Sequence, residues 1–294
     1  MSTGSQETAQ SDIAHLLVSC PDRPGIIAAV SGLLRQRDIN IVQSDQYSTD
    51  PEGGSFYLRM VLHVPGLCDR VDQLRAEFAA EVADPLGMTF WLRDASVPKR
   101  VALMVSRYDH CLLDLLWRWR RGELRVDIGA VVSNWTDLET EVARFGVPYH
   151  HVPVTRETKS HAEARQLELI GGGQFDLIVL ARYMQVLSSD FLARAGCPII
   201  NIHHSFLPAF AGAGPYERAK ARGVKLIGAT AHYATQDLDE GPIIEQDVIR
   251  VSHRETEAEL VRLGADVERT VLQRAVRWHC EDRVIVHGNS TVVF

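Results

Sequence analysis

The sequence predicts an α/β protein of two domains: a small ferredoxin-like β-α-β-β-α-β unit over residues 12–95, then a doubly wound, Rossmann-like unit over residues 96–294. Three observations carry this. Strand and helix patterns follow one another in the β-α-β-β-α-β order before the short break ASVPK at Ala95–Lys99. Beyond the break, continuous apolar runs alternate with stretches of helical spacing, as in a parallel sheet covered on both faces. A length of 294 residues suits two domains, each able to bury a core of its own.

In the first domain HLLVSC reads as a strand, and PDRPGIIAAVSGLLRQRD as a helix opened by Asp22 and Pro24. INIVQSDQYS and GGSFYLRMVLHV read as two strands around the turn Asp50–Gly54. A helix near Cys68–Ala80 and a strand near Thr89–Arg93 complete the order. Gly25 lets a ligand or partner backbone approach the helix start, although a purely structural pairing module fits the same pattern. Residues 1–11 are polar and are expected to form a flexible N-terminus.

In the second domain Val101–Ser106, Asp127–Ser133, Asp176–Ala181 and Ile199–Ile202 are the short apolar runs of buried parallel strands. Helical spacing lies between them at Asp109–Arg121, Asp137–Phe145 and Ser160–Leu169. Gly171–Gly173 stops the third of these helices. A hairpin-like run spans Leu226–Val251, a long helix spans about Glu255–Glu281, and the strand Arg283–His287 precedes an apolar tail expected to be anchored. A doubly wound sheet places its ligand crevice at the carboxyl ends of the strands, where Tyr183–Leu187 and Asn201–His203 both fall.

Charge and cysteines exclude several classes. A formal charge of −7 argues against nucleic acid as a partner. The charge is uneven: residues 1–95 hold 13 acidic and 7 basic side chains, residues 96–294 hold 25 and 24. The second domain is therefore nearly neutral and free to attract an anionic ligand locally. No apolar run reaches the length of a membrane span, and the polar start lacks a signal pattern, so no membrane partner and a cytoplasmic location are expected. The five cysteines are odd in number, scattered and without metal spacing, which fits reduced thiols.

The stretch 199–242 carries the chemistry. An apolar strand ends in Asn201, His203 and His204, and the acidic turn DLDEGP follows about forty residues later. Alternation puts Asn201 and His203 on one side of the strand and His204 on the other. An amide and an imidazole suit an oxyanion, and Asp239 from a separate loop suits a charge partner for the imidazole or a base for water. Capped or solvated polar residues at a strand end fit the same letters. Neighbouring histidines diverge on a strand and no HExxH or CxxC spacing accompanies them, so no metal is expected. Gly212-Ala213-Gly214 is not a dinucleotide turn, because Glu217 stands where the third glycine belongs. WRWRRG at Trp117–Gly122 has the spacing of an amphipathic helix face.

NIHHSFLP, GATAHY and DLDEGPII together resemble the signature of the folate-dependent formyltransferases and formyl hydrolases, and over essentially the whole chain the likeness is to the formyltetrahydrofolate deformylases. The resemblance implies an ACT-like regulatory domain followed by a formyltransferase-like catalytic domain. It implies Asn201, His203 and Asp239 as catalytic residues, with His232 in support. It places the pterin of 10-formyltetrahydrofolate near Met184, Gln185, Val186, Leu187 and Gln236; ordinary packing after a strand fits Met184, Val186 and Leu187 equally well without it. No covalent cofactor is implied. A homo-dimer or tetramer and an amino-acid effector, methionine or glycine, are expected from the ACT-like domain.

Water is the expected acceptor, giving formate for purine and one-carbon metabolism. Related transferases that act on glycinamide ribonucleotide carry a Gly-rich phosphate loop after their first strand, whereas this chain has SRYDHC at 106–111. His110 either fills part of the space of an amine substrate or makes a helix-start hydrogen bond. A transferase to a small amine or nucleotide is the alternative, and a binding sensor with a decayed site is a third reading. Two positions depart from the family pattern: Arg107, where Lys is common, and Gly214, where Asn is.

Overall fold

The computed structural model describes residues 12–208 and 214–294. The expected flexible N-terminus and Gly212-Ala213 lie outside the described residues. The chain divides into two compact units.

The first unit spans residues up to Pro98 and regains the chain at Glu281–His287 and Val292–Phe294. Its elements are β1 (Ile13–Pro21), α1 (Ile26–Gln36), β2 (Asn40–Ser48), β3 (Ser55–His63), α2 (Leu67–Phe78) and β4 (Thr89–Asp94). A π-helical turn, Ala79–Ala83, continues α2. The sheet order is β2-β3-β1-β4, with β1 antiparallel to both neighbours. Strand alternation decides the core. Leu16, Val18 and Cys20 face the helices with Leu58, Met60, Val30, Leu34 and Phe78. Leu17 turns to the other face, where Tyr57, Ile285, Val292 and Phe294 enclose it. The tail is thus anchored in this unit, not in the downstream domain where the sequence reading placed residues 281–287 and 292–294; its apolar residues complete the second face of this sheet. Helix α1 starts at Ile26 and not at Asp22, because Gly25 at φ 95 interrupts the helical path.

The second unit comprises Lys99–Cys280 with Gly288–Thr291. Its elements are β5 (Lys99–Val105), α3 (His110–Arg120), β6 (Val126–Ser133), α4 (Glu139–Ala143), β7 (Tyr149–His151), α5 (Lys159–Ile170), β8 (Leu177–Leu180), α6 (Ser189–Arg194), β9 (Ile199–His203), α7 (Pro215–Arg222), β10 (Leu226–Tyr233), β11 (Ile243–Arg250) and α8 (Glu257–Cys280). The sheet order is β11-β10-β9-β8-β5-β6-β7. Strands β7, β6, β5, β8 and β9 run parallel, whereas β10 and β11 form an antiparallel extension. The chain leaves β5 for β6 and β7 on one side and returns to build β8 and β9 on the other, the topology of a doubly wound sheet. The final pair β12 (Val284–His287) and β13 (Ser290–Val293) follows α8.

Three elements of the second unit have no counterpart in the periodicity. β7 has 3 residues and α6 has 6, too few for a repeat to show. Helix α6 is set by its cap, the Ser188 hydroxyl accepting from the Phe191 N–H. Helix α7 is framed by Gly214 at φ 63 and Gly223 at φ 67. Glycine and asparagine both tolerate that left-handed conformation, so the Gly214 departure leaves the backbone path open. Among the described residues no helix is long and apolar enough to cross a membrane.

Candidate active site

A cavity of about 320 Å³ opens at the carboxyl ends of β8 and β9. Three segments build it: the turn after β8, the end of β9, and the loop between β10 and β11. Strand β9 is apolar at Ile199, Ile200 and Ile202, which are buried in the sheet, and this rigid footing carries Asn201 and His203 to the rim. Antiparallel pairing sets His232 of β10 directly opposite Asn201. The register of β10 on β11 shifts at Ala231/His232, a bulge that re-aims the strand at this point.

The side chains meet in a defined pattern. Asp239 Oδ1 lies 3.2 Å from His203 Nδ1 and 3.8 Å from His232 Nε2. His232 Nδ1 lies 3.0 Å from the Tyr233 carbonyl oxygen, so the ring donates there. Its Nε2 then carries the lone pair, which accepts from Asn201 Nδ2 at 3.2 Å. Burial holds the His232 pKa below its ordinary value, against the raising effect of the Tyr233 carbonyl, and this agrees with a neutral ring. One N–H of the Asn201 amide is thereby spent on His232 and the other is left over. His203 Nε2 is buried and has no hydrogen-bond partner among the described residues.

Backbone geometry explains how Asp239 arrives. Its φ is 60, an unusual value for a non-glycine residue and one that marks a position held by its surroundings. Gly241 closes the loop: a Cβ there would lie 1.8 Å from the Tyr233 carbonyl oxygen, the group that orients His232. A side chain at position 241 would therefore push apart the contact that fixes the His232 tautomer.

Met184, Gln185, Val186, Leu187 and Gln236 all line the cavity. Met184 and Val186 are 48% and 54% exposed, unlike the packed residues expected after a strand, so they offer apolar surface to a ligand. The Met184 N–H donates to Ser106 Oγ at 2.9 Å, and Ser106 donates to Asn134 Oδ1 at 2.7 Å, which pins this turn to the ends of β5 and β6. His110 is not brought to the cavity. Its ring pairs with the buried Glu268 carboxylate of α8, Nε2 to Oε2 at 2.8 Å, and neither caps helix α3 nor lines the site. Arg107 stacks on the Trp135 ring at 3.5 Å.

Sequence reasoning missed Arg182, Tyr216 and Glu268. Arg182 and His204 line the cavity, and Arg182 Nε lies 3.3 Å from Glu268 Oε2. Tyr216 donates to Glu268 Oε1 at 2.7 Å, reaching it over Gly264, where a Cβ would lie 1.9 Å from the tyrosine oxygen. The signal was present in α8: Glu268 falls on the buried stripe that includes Leu260, Val267, Val271 and Leu272. Desolvation raises the Glu268 pKa, but the His110 hydrogen bond and the Arg182 charge outweigh it and hold the group ionised. Burial, then the Arg182 charge, push His204 down to about 4, so this second histidine is neutral near pH 7. His110, Cys111 and Glu268 have donor atoms within 4.8 Å of one another, the spacing of a metal site. They fit one poorly, since Glu268 is already committed to Arg182, His110 and Tyr216, and burial holds the Cys111 thiol well above its ordinary pKa.

A doubly wound sheet bearing an amide, an imidazole and a carboxylate at one mouth, preceded in sequence by a four-stranded ferredoxin-like unit, defines a class. The formyl transferase family model matches residues 99–276, and the ACT domain model matches residues 14–77. The chain belongs to the formyltetrahydrofolate deformylase family. It is 61% identical over 283 residues to the formyltetrahydrofolate deformylase of Mycobacterium tuberculosis, covering 96% of this chain and 91% of the relative. It is 52% identical to that of Bacillus subtilis, covering 96% and 94%. The crystal structure of a formyltetrahydrofolate deformylase from Pseudomonas syringae pv. tomato superposes with a TM-score of 0.90 at 47% identity, covering 96% of this chain and 94% of that one. The glycinamide ribonucleotide transformylase 1 of Symbiobacterium toebii aligns over 69% of this chain and 97% of its own, with a TM-score of 0.61 at 29% identity.

Proposed function

We propose that the protein hydrolyses 10-formyltetrahydrofolate to formate and tetrahydrofolate, with Asn201, His203 and Asp239 as the catalytic residues. The observation that carries the residue assignment is the His203–Asp239 pair, 3.2 Å apart, with the other ring nitrogen buried and unpartnered beside an amide in the cavity.

The pterin rests on Met184, Val186 and Leu187, with Gln185 and Gln236 at its edge. The formyl carbon lies between Asn201 and His203. Water adds its oxygen to that carbon while Asp239 takes one proton, and the carbonyl becomes an oxyanion. The remaining Asn201 N–H and the His203 Nε2–H donate to it, each donor contributing on the order of 3 kcal/mol in such a site. The ring acts in its protonated form, donating Nδ1–H to Asp239 and Nε2–H to the oxyanion. The intermediate collapses as the carbon–N10 bond breaks and N10 receives the proton held by Asp239. Formic acid loses its remaining proton to solvent and leaves as formate. His232, neutral and tied to the Tyr233 carbonyl, orients the Asn201 amide. His110 acts at a distance, through Glu268.

Binding of methionine or glycine at the ACT unit would regulate a homo-dimer or tetramer working in the cytoplasm, where formate release supplies one-carbon and purine metabolism. Incubating the purified protein with 10-formyltetrahydrofolate alone tests the main reading. Stoichiometric formate is expected without an added amine, and formyl release that requires an amine acceptor would replace hydrolysis by transfer. Calorimetry with methionine and glycine tests the effector, and the absence of binding by both removes it.

A further inference from the structure

We infer that Arg182 forms a carboxylate subsite in the cavity wall, which receives formate after it is cut from the folate. The inference rests on the hydrolase reading above and adds a residue to it.

Four observations converge on Arg182. The residue lines the same cavity as Asn201 and His203, yet it is only 6% exposed. Its Nη1 is buried with no hydrogen-bond partner among the described residues, and a buried N–H left unmade is costly unless something visits it. Its backbone is left-handed at φ 62, a strained conformation for an arginine. Its remaining contacts hold the guanidinium by charge and stacking and make no hydrogen bond to Nε or Nη1: Glu268 Oε2 is 3.3 Å from Nε on one side, and the Tyr108 ring is 4.6 Å from the guanidinium carbon on another. Glu268 is itself fixed by His110 and Tyr216.

The charge layout gives the ligand. Formate is born next to the Asp239 carboxylate, and two anions that close repel each other strongly in a buried site. Arg182 is the one arginine or lysine among the described residues lining the cavity, and because His203 already faces Asp239, Arg182 is the cation a departing small anion can move to. A planar guanidinium suits a carboxylate, and its charge-assisted bond is stronger than a neutral one. A carboxylate could also come from the glutamyl end of the folate. The burial of Arg182 favours formate, because a glutamyl tail needs an open path to solvent.

The test is a titration of the tetrahydrofolate-loaded protein with ¹³C-formate, read by broadening of its NMR signal. Arg182→Gln and Arg182→Lys are compared with the parent after thermal melting has established that each folds. Saturable broadening is expected for the parent, with affinity about tenfold or more weaker in Arg182→Gln, and less weakened in Arg182→Lys, which keeps the charge. Equal affinity in all three proteins would overturn the subsite, as would a parent enzyme that releases formate but never binds it. Should Arg182→Gln not fold, the parent and the lysine variant decide by the same comparison. A second arm measures binding of pteroate against pteroylglutamate: a loss in Arg182→Gln confined to the glutamate-bearing ligand assigns Arg182 to the tail and removes the formate subsite. A parent that releases no formate from 10-formyltetrahydrofolate defeats the hydrolase reading itself, a result the binding titration does not mimic.

Discussion

Two of the buried polar clusters among the described residues of the second unit differ in what is left over. Around Glu268, the carboxylate of one long helix accepts from His110 and Tyr216 and pairs with Arg182, so its own bonding capacity is consumed within the protein. Around Asp239, a left-handed residue holds a carboxylate between two imidazoles, and His203 Nε2 and one Asn201 N–H are left over on residues that line the cavity. Both clusters draw residues from distant segments, and both are costly to desolvate. Glu268 holds segments together and leaves spare donors only at its edge, on Arg182; the Asp239 cluster keeps its donors ready for a ligand. Unsatisfied bonding capacity, more than burial or charge, separates a site from a strut.

The sharpest way to break this comparison is to disable the Asp239 cluster. Asp239→Asn is expected to lower kcat by roughly a thousandfold, within the span of general acid–base effects, while folate binding followed by fluorescence stays close to normal. Normal turnover would remove Asp239 from the site. Asn201→Ala should lose about a hundredfold in kcat with KM little changed, the pattern of a donor felt in the transition state only.

The Glu268 cluster should answer in stability. Glu268→Gln leaves the Arg182 guanidinium buried without its counter-charge, and urea unfolding should show a loss of about 3 kcal/mol. A loss near zero would mean that solvent reaches the cluster. The smallest effect concerns His204, whose folded pKa of about 4 lies below its ordinary 6.5. Between those values the unfolded chain binds the extra proton, so stability is fully present above about pH 6.5 and falls as pH drops toward 4. His204→Gln should flatten that slope in urea titrations between pH 7 and pH 4.5, and an unchanged slope would show that other groups set it.

Much of this was legible along the chain. Apolar runs marked β5, β6, β8 and β9, because strands buried on both faces must be continuously hydrophobic. The letters NIHH and DLDEGP identified Asn201, His203 and Asp239 as a group, since these residue types at a strand end and an acidic turn suit one chemistry. The short pieces were not legible: three residues in β7 carry no period. Nor was the placement of His110, whose position at a helix start says nothing of a carboxylate 158 residues further along. Glu268 was half-legible, an acid on an otherwise apolar helical stripe, but a stripe does not say what the acid will meet.

The sequence by itself determined the two units, their order, and which amide, imidazole and acid belong to the candidate site, because periodicity and residue chemistry are local properties. Only the tertiary structure decided which ring nitrogen stays unpartnered, that Asp239 stands between two histidines, that Arg182 turns inward, and that the chain's end completes the first unit's sheet. Each of these depends on contacts between residues far apart in sequence, and pairing of that kind is fixed by packing and not by any pattern along the chain.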